Sequence, residues 1–278
     1  MPCPLCDDTY WKPIEQNGVR QVVRCDCWRE AAVSSTLKAA RIPPLYARST
    51  LDNFQDYSDS LVTAVTRARG FVASYPGEVR KGLLLLGAPG VGKTHLAVAM
   101  LKAIIAKTAA RAYFYDVREL LRSIRDTYNP VVKTTEIQVI SPVMDAEFLV
   151  LDDLGAERTT EWVDETMNLI VNTRYNNRLP TVFTTNYPDA DPDEKSPVDT
   201  LVERVGARMY SRLHEMCEFV RLEGMDFREV GPDPTPEQLQ AYLKHGPKKL
   251  PLRAGRQARA QLRDGKGDLK WSGGRAGS

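Results

Sequence analysis

The 278-residue sequence contains no apolar run near the roughly 18 residues that a membrane span requires. Its first residues, MPCPLCDD, lack a basic segment followed by an apolar one, so no secretory leader is expected and the compartment predicted is the cytoplasm. A large net charge is missing as well: 38 Lys and Arg stand against 36 Asp and Glu. No helix-turn-helix pattern occurs, and no second apolar core follows residue 230. These absences argue against a helical membrane span and against an initiator that reads DNA sequence through its own carboxy-terminal domain. With 42% hydrophobic and 27% charged residues, the chain has the composition of a globular α/β domain with a smaller appendage.

Cysteine is scarce and unevenly placed: four of the five, Cys3, Cys6, Cys25 and Cys27, fall in the first 30 residues. In a reducing compartment that cluster points to metal rather than disulfides. The C-x-x-C and C-x-C pairs enclose a β-prone run at 19–24, and four thiolates complete a tetrahedral Zn²⁺ site that would stabilise a unit too small for its own core. Four reduced, chemically idle cysteines are the alternative. Cys217, in an apolar-periodic stretch, reads as a small core residue.

Residues 83–94, LLLLGAPGVGKT, organise everything else. Four leucines in a row suit a strand buried on both faces. Gly87, Ala88, Pro89, Gly90, Val91, Gly92, Lys93 and Thr94 match G-x-x-x-x-G-K-[ST], and a helical run starts at His95. Glycines let backbone N–H groups turn inward around a polyphosphate, and the helix N-terminus adds partial positive charge. Lys93 is expected to reach the β- and γ-phosphates and Thr94 to ligate Mg²⁺, so the chain is predicted to bind a nucleoside triphosphate.

A second motif, FLVLDD at 148–153, is an apolar strand ending in two acids. Asp152 is placed to hold Mg²⁺ and Asp153 to orient the attacking water. The run 180–186 reads as another strand, with Asn186 at its tip as a partner for the γ-phosphate or the water. Helices are expected at 28–41, 57–75, 118–128, 139–144, 159–175 and 201–217, strands at 111–117 and 219–223, and an extended connector at 45–54. In the helix at 201–217, Arg204, Arg208 and Arg212 recur every four residues and should share one face. The sequence at 187–199 is a polar Pro/Asp loop. From 231 onward the chain is Pro-, Gly- and Arg/Lys-rich, with at most a short helix at 236–244, and its end is expected to be disordered.

With both motifs placed, the chain resembles the AAA+ ATPases of the DnaC-type replicative helicase loaders, a family close to the IstB transposition helpers. The likeness covers about residues 3–228 and includes IPPLYARSTLDNF (42–54), GAPGVGKTHLAVA (87–99), FLVLDDLGAE (148–157), RYNNRLPTVFTTN (174–186) and ERVGARMYSRLHEMCEFVRLEGMDFR (203–228). It implies an α/β fold: an AAA+ P-loop core, a parallel sheet flanked by helices, with an N-terminal zinc module, and the chain is expected to lack the helical lid domain where a sensor 2 residue normally sits. Three regions follow: a four-cysteine zinc module and helicase-binding helix at 1–50, the ATPase domain at 51–230, and a basic tail at 231–278.

The resemblance assigns Lys93 and Thr94 to Walker A, with His95 beside them at the nucleotide. Asp152 becomes the Mg²⁺ acid, Asp153 the catalytic acid and Asn186 sensor 1. Arg212, in S-R-L at 211–213, is the arginine-finger candidate with Arg208 as fallback, and Arg228 stands in for a sensor 2 arginine. Many relatives carry Glu where this chain has Asp153. The shorter side chain implies slow or partner-dependent hydrolysis.

The implied cofactors are ATP, Mg²⁺ and Zn²⁺. The implied partners are a replicative DNA helicase, single-stranded DNA and further copies of the chain, with no membrane. Arg118, Arg122, Arg125, Tyr128 and Lys133 are the DNA candidates, set against a plain solvated helix face. The rival readings are an IstB-like helper for a DNA transposase and an ATP-sensing adaptor that scarcely hydrolyses.

Overall fold

The computed structural model describes residues 2–16, 19–77, 81–189 and 199–230, together with Thr235, Glu237, Gln238 and Gln240. Most of the expected basic tail, most of the short helix at 236–244 and the greater part of the 187–199 loop therefore lie outside the described residues.

Strands β1 (Trp11–Gln16) and β2 (Val19–Arg24) form an antiparallel hairpin in which Trp11 faces Arg24. Helix α1 (Asp26–Ala39) follows at once, with Cys25 as its N-cap residue. Helix α2 (Asp59–Ser74) is capped by the Ser58 hydroxyl, which accepts from the Leu61 amide. The main sheet then unfolds in strand–helix alternation: β3 (Gly82–Gly87), α3 (Lys93–Thr108), β4 (Ala112–Asp116), α4 (Val117–Asp126), α5 (Glu136–Asp145), β5 (Phe148–Asp152), α6 (Glu161–Asn176), β6 (Thr181–Thr185), α7 (Leu201–Met216), β7 (Cys217–Leu222) and the short α8 (Phe227–Val230).

The five strands are parallel in the order β4-β5-β6-β3-β7. The leucine run explains how two helix layers are held. Leu83 and Leu85 belong to one apolar cluster with Leu61, Leu96 and Ile104 of α2 and α3, whereas Leu84 and Leu86 join the other with Leu120, Ile170 and Leu213 of α4, α6 and α7. Side chains alternate across a strand, so consecutive leucines reach opposite faces. The chain leaves β3 by a helix on one face and enters β6 from a helix on the other. The crevice at the carboxyl ends of these two neighbours is therefore the expected ligand position of an open parallel sheet.

Two expectations change. The arginine row on α7 is broken because Gly206 leaves helical geometry, at φ 79° and ψ 153°. Arg204 turns away from Arg208 and Arg212: it pairs with Asp199 at 2.9 Å and lies over the Tyr187 ring at 4.6 Å. The connector at 45–54 is also less extended than expected, since residues Pro44–Tyr46 form a 3-10 turn and Asn53 closes a second turn on the Thr50 amide. Cys217 is buried, as a core residue should be. Among the described residues no helix is long and apolar enough to cross a membrane.

Candidate active site

The phosphate loop bends where only glycine tolerates the crowding. Gly90 has φ 83°, and a Cβ there would collide with the carboxylate of Asp226; Gly92 has φ 97°, and its Cβ would meet the Phe54 ring at 2.8 Å. Asp226 and Phe54 come from segments far away in sequence, so the loop is clasped from both sides. The Phe227 amide donates to the Gly90 carbonyl at 3.2 Å, and the Met225 amide donates to the Tyr57 hydroxyl at 2.5 Å. Arg228 follows on α8.

Lys93 begins α3 and is buried. Its Nζ donates to the carbonyls of Gly87 at 2.9 Å and Ala88 at 2.8 Å and to Asn186 Oδ1 at 2.7 Å. These three acceptors match the three protons of an ammonium. Burial pulls the Lys93 pKa down to about 8, against the opposing pull of Asp152 and Asp153. Asp152 is buried too, and desolvation raises its pKa while the Thr184 and Thr94 hydroxyls lower it. Thr94 Oγ1 lies 2.9 and 3.2 Å from the two Asp152 oxygens, and Thr184 Oγ1 donates to Asp152 at 2.6 Å. A hydroxyl and a carboxylate converging this closely form a hard-oxygen pair of the kind Mg²⁺ takes beside a phosphate.

Asp153 lies just past β5 in the left-handed region, at φ 61°. That conformation is uncommon for a non-glycine residue and turns its carboxylate toward Asn186, whose Nδ2 donates to it at 2.6 Å. Arg118 Nη2 stands 3.9 Å from the other carboxylate oxygen and donates to the Ala156 carbonyl at 3.1 Å. His95 Nε2 sits 3.2 Å from the Thr50 carbonyl and 3.1 Å from Asn53 Oδ1, and burial lowers its pKa.

These groups open on one cavity of about 1030 Å³. Gly90, Gly92, Lys93, Thr94, His95, Asp152, Asp153, Asn186 and Arg228 all line it. Val91 instead points into the core, and Arg212 does not line the cavity: its Nη1 lies along its own helix, 3.2 Å from the Arg208 carbonyl. The sequence reading missed the opposite wall, where Pro43, Leu45, Tyr46 and Phe54 contribute an apolar surface. Leu45 is 81% exposed, the one available clue being a cluster of apolar residues in a turn-rich connector. Arg118 and Arg122, expected on a DNA face, also line this cavity. Of that group Arg125 lies over the Trp162 ring at 4.8 Å, and Trp162 donates to the Tyr128 hydroxyl at 3.3 Å.

The cysteines converge as well. Cys6 and Cys27 have their sulfurs 3.3 Å apart, Cys3 and Cys25 3.8 Å apart, and all four lie within 4.8 Å of one another. Four thiolates at Zn–S distances of about 2.3 Å have edges of about 3.8 Å, so the donor set fits zinc. The helix start at Asp26 explains how C-x-C serves as one side of the site: the turn from β2 into α1 brings both sulfurs to the same side. The Arg24 guanidinium lies 5.1 Å from the Trp11 ring and 4.2 Å from the Trp28 ring. Arg29 donates to the Lys107 carbonyl at 2.6 Å, joining α1 to the helix that begins at Lys93.

Comparison with known proteins agrees with this geometry. The IstB-like ATP binding protein model matches residues 27–230. The replicative helicase loader DnaC of Escherichia coli K12 is 23% identical over 199 residues, 72% of this chain and 76% of that one. The replicative helicase loader DnaI of Bacillus subtilis is 32% identical over 155 residues, 53% of this chain and 48% of its own length. Among solved structures, a crystal structure of the DnaC helicase loader superposes with TM-score 0.57 at 34% identity, covering 65% of this chain and 100% of that one. AMPPCP-bound DnaA from Aquifex aeolicus, at 18% identity and TM-score 0.55 over 72% of this chain and 61% of that one, shares the fold. A parallel P-loop sheet, the clasped phosphate loop and a family match over most of its length place this chain in the IstB-like ATP-binding protein family, among its DnaC-type members.

Proposed function

We propose that this chain is an ATP-hydrolysing DNA-replication factor that loads a replicative helicase onto single-stranded DNA. The observation that carries the ATPase part is the meeting of Lys93, Thr94, Asp152, Asp153 and Asn186 at one cavity mouth. The likeness to helicase loaders supplies the client.

In this reading Lys93 exchanges its loop carbonyls for β- and γ-phosphate oxygens. Thr94 and Asp152 would hold Mg²⁺, which when bound neutralises charge on those oxygens. Asp153, steadied by Asn186, orients the attacking water. Arg228 faces the phosphates from the same chain, and Arg212, which does not line this chain's own cavity, serves the nucleotide of a neighbouring copy. Residues 51–230 form the ATPase, while residues 1–50, held by zinc on the four cysteines, meet the helicase. Exposed Leu5, Tyr10, Trp11 and Trp28 give that module an apolar surface for a protein partner. Single-stranded DNA runs by Arg125, Tyr128 and Trp162, where a ring pair and a guanidinium suit bases and phosphates. The setting is the cytoplasm.

The test is co-purification with the host's replicative helicase in the presence of ATP, comparing wild type with Cys25→Ser/Cys27→Ser. A complex lost in the double mutant, while ATP binding persists, supports loading through the zinc module. No complex with the wild type sinks the helicase assignment and directs the search to a DNA transposase. Helicase loading left intact in a Lys93→Ala variant that no longer hydrolyses ATP also counts against the reading.

A further inference from the structure

We infer that Thr184 is a positioning residue of the ATPase: its single hydroxyl fixes the Asp152 carboxylate for its cation and pins the Asp153 backbone in the turn that aims the second acid. This rests on the ATPase reading above and adds the group that sets its two acids.

Thr184 stands near the carboxyl end of β6, opposite Leu85 of β3, and is 2% exposed. Strand alternation puts it on the same face as Val182, which belongs to the apolar cluster of Leu96 and Ile104 of α3. Packing alone would accept another valine there. A hydroxyl in so dry a place is costly unless it is bonded, and this one is bonded twice. Its Oγ1 donates to Asp152 Oδ1 at 2.6 Å and accepts the Asp153 amide at 2.9 Å. An amide N–H can only donate and an ionised carboxylate can only accept, so the hydroxyl proton has one direction open to it.

Each bond does a separate job. On the side-chain side, Asp152 Oδ1 also receives Thr94 at 2.9 Å, while Oδ2 takes the longer Thr94 contact at 3.2 Å. Bonding concentrated on Oδ1 keeps the carboxylate from turning and leaves lone pairs on Oδ2 for a hard cation. On the backbone side, Asp153 has φ 61°, a conformation that a non-glycine residue keeps only when its surroundings hold it. Thr184 holds the turn twice, since its carbonyl also accepts the Leu154 amide at 2.8 Å. The Thr185 hydroxyl adds to this by donating to the Leu154 carbonyl at 2.9 Å. The turn after β5 is thereby stitched to the strand that leads into Asn186, the partner of Asp153 at 2.6 Å. A methyl in place of the Thr184 hydroxyl cuts both acids loose while the apolar contacts around it stay.

The experiment compares the full chain as wild type, as Thr184→Val, which keeps the shape, and as Thr184→Ser, which keeps the hydroxyl. Two readouts are taken: steady-state ATP hydrolysis at saturating Mg²⁺, and binding of a fluorescent non-hydrolysable ATP analogue as Mg²⁺ is titrated from zero. Thr184→Val should need about 10- to 100-fold more Mg²⁺ for half of the Mg²⁺-dependent gain in affinity, the usual effect of losing a group that orients a metal ligand. Its affinity for the analogue in EDTA should stay at the wild-type value. Its kcat should fall about 10- to 100-fold with KM for ATP nearly unchanged, as expected when reacting groups lose their alignment. Thr184→Ser should recover most of both losses.

Wild-type Mg²⁺ dependence and kcat in Thr184→Val overturn the inference. So does a Thr184→Ser protein as impaired as Thr184→Val, because shape and not the hydroxyl would then matter. An equal loss of affinity in EDTA overturns it too, since that marks general damage to the site. Thermal melts check folding. If Thr184→Val is unfolded at the assay temperature, Thr184→Cys, whose thiol is a weak donor of similar volume, must show the same two losses in smaller measure or the inference falls. A wild type that binds the analogue but hydrolyses no ATP defeats the ATPase reading, while the Mg²⁺ titration still judges Thr184.

Discussion

Two cations are buried at opposite ends of the same sheet, and they behave differently. At the amino ends of β5 and β6, Arg174 is 0% exposed. Its Nη1 donates to the carbonyls of Val143 and Ala146, both at 2.9 Å, its Nη2 to Pro180 at 3.0 Å and its Nε to Thr181 Oγ1 at 2.8 Å. At the carboxyl ends Lys93 is also satisfied by carbonyls and a side-chain amide. Burial depresses both pKa values, that of Arg174 to about 9 and that of Lys93 to about 8. The Arg174 acceptors are fixed: they close the end of α5 and the start of β6, and a rigid guanidinium fork matches them. The Lys93 acceptors belong to a loop and a rotatable amide facing an open cavity. A buried cation is therefore functional when its partners can be exchanged for a ligand, and structural when they cannot.

That contrast can be broken most forcefully at Lys93. Lys93→Ala should lower kcat/KM for ATP by about 10²–10³, in line with loss of one preorganised transition-state donor, and should leave the melting temperature in the absence of nucleotide nearly unchanged. Steady-state kinetics and a thermal melt check both halves. Arg174→Met should do the reverse, costing about 3 kcal/mol of folding stability in urea titration because several carbonyls lose their donor in a dry site. Nucleotide affinity, measured where the variant is still folded, should stay within about twofold of wild type.

Protonation sharpens the comparison further. In the free protein the Lys93 ammonium is charged below about pH 8 and loses its proton above it. Bound polyphosphate favours the charged form, so affinity is full at pH 7 and weakens as pH rises, by about tenfold at pH 9. Fluorescent-nucleotide titrations across that range measure it, and a Lys93→Arg variant should flatten the profile. The smallest effect is expected at the surface: Arg125→Met should change stability by less than about 1 kcal/mol. The same variant should weaken oligothymidylate binding with a salt slope shallower by about 1. A salt slope identical to wild type would remove Arg125 from the DNA path.

Much of this was legible in the residues. The strand–loop–helix at 83–94 and the strand ending in Asp152 and Asp153 rest on local periodicity and spacing. Helix ends were less so: α5 begins at Glu136, ahead of the expected 139, because Thr135 and Gln138 form a reciprocal cap in a stretch without apolar periodicity. Gly206 was invisible as a break because the apolar pattern runs through it: Val205 and Met209 are both buried. Arg174 had no signature either, since nothing near it in sequence distinguishes a surface arginine from one that ties β6 to the end of α5.

By itself the sequence determined the phosphate loop, the acids beside it and the buried leucine strand that reaches both faces of the sheet. Each of these depends on residues adjacent in the chain or on a run whose alternation sets its burial. Only the tertiary structure decided that the 43–54 segment and Phe227–Arg228 help wall the cavity beside the phosphate loop, that Asp226 and Phe54 clasp the loop at Gly90 and Gly92, and that Arg118 faces Asp153. Those contacts join segments far apart in the chain, and the residue types involved carry no local preference for the partner they meet.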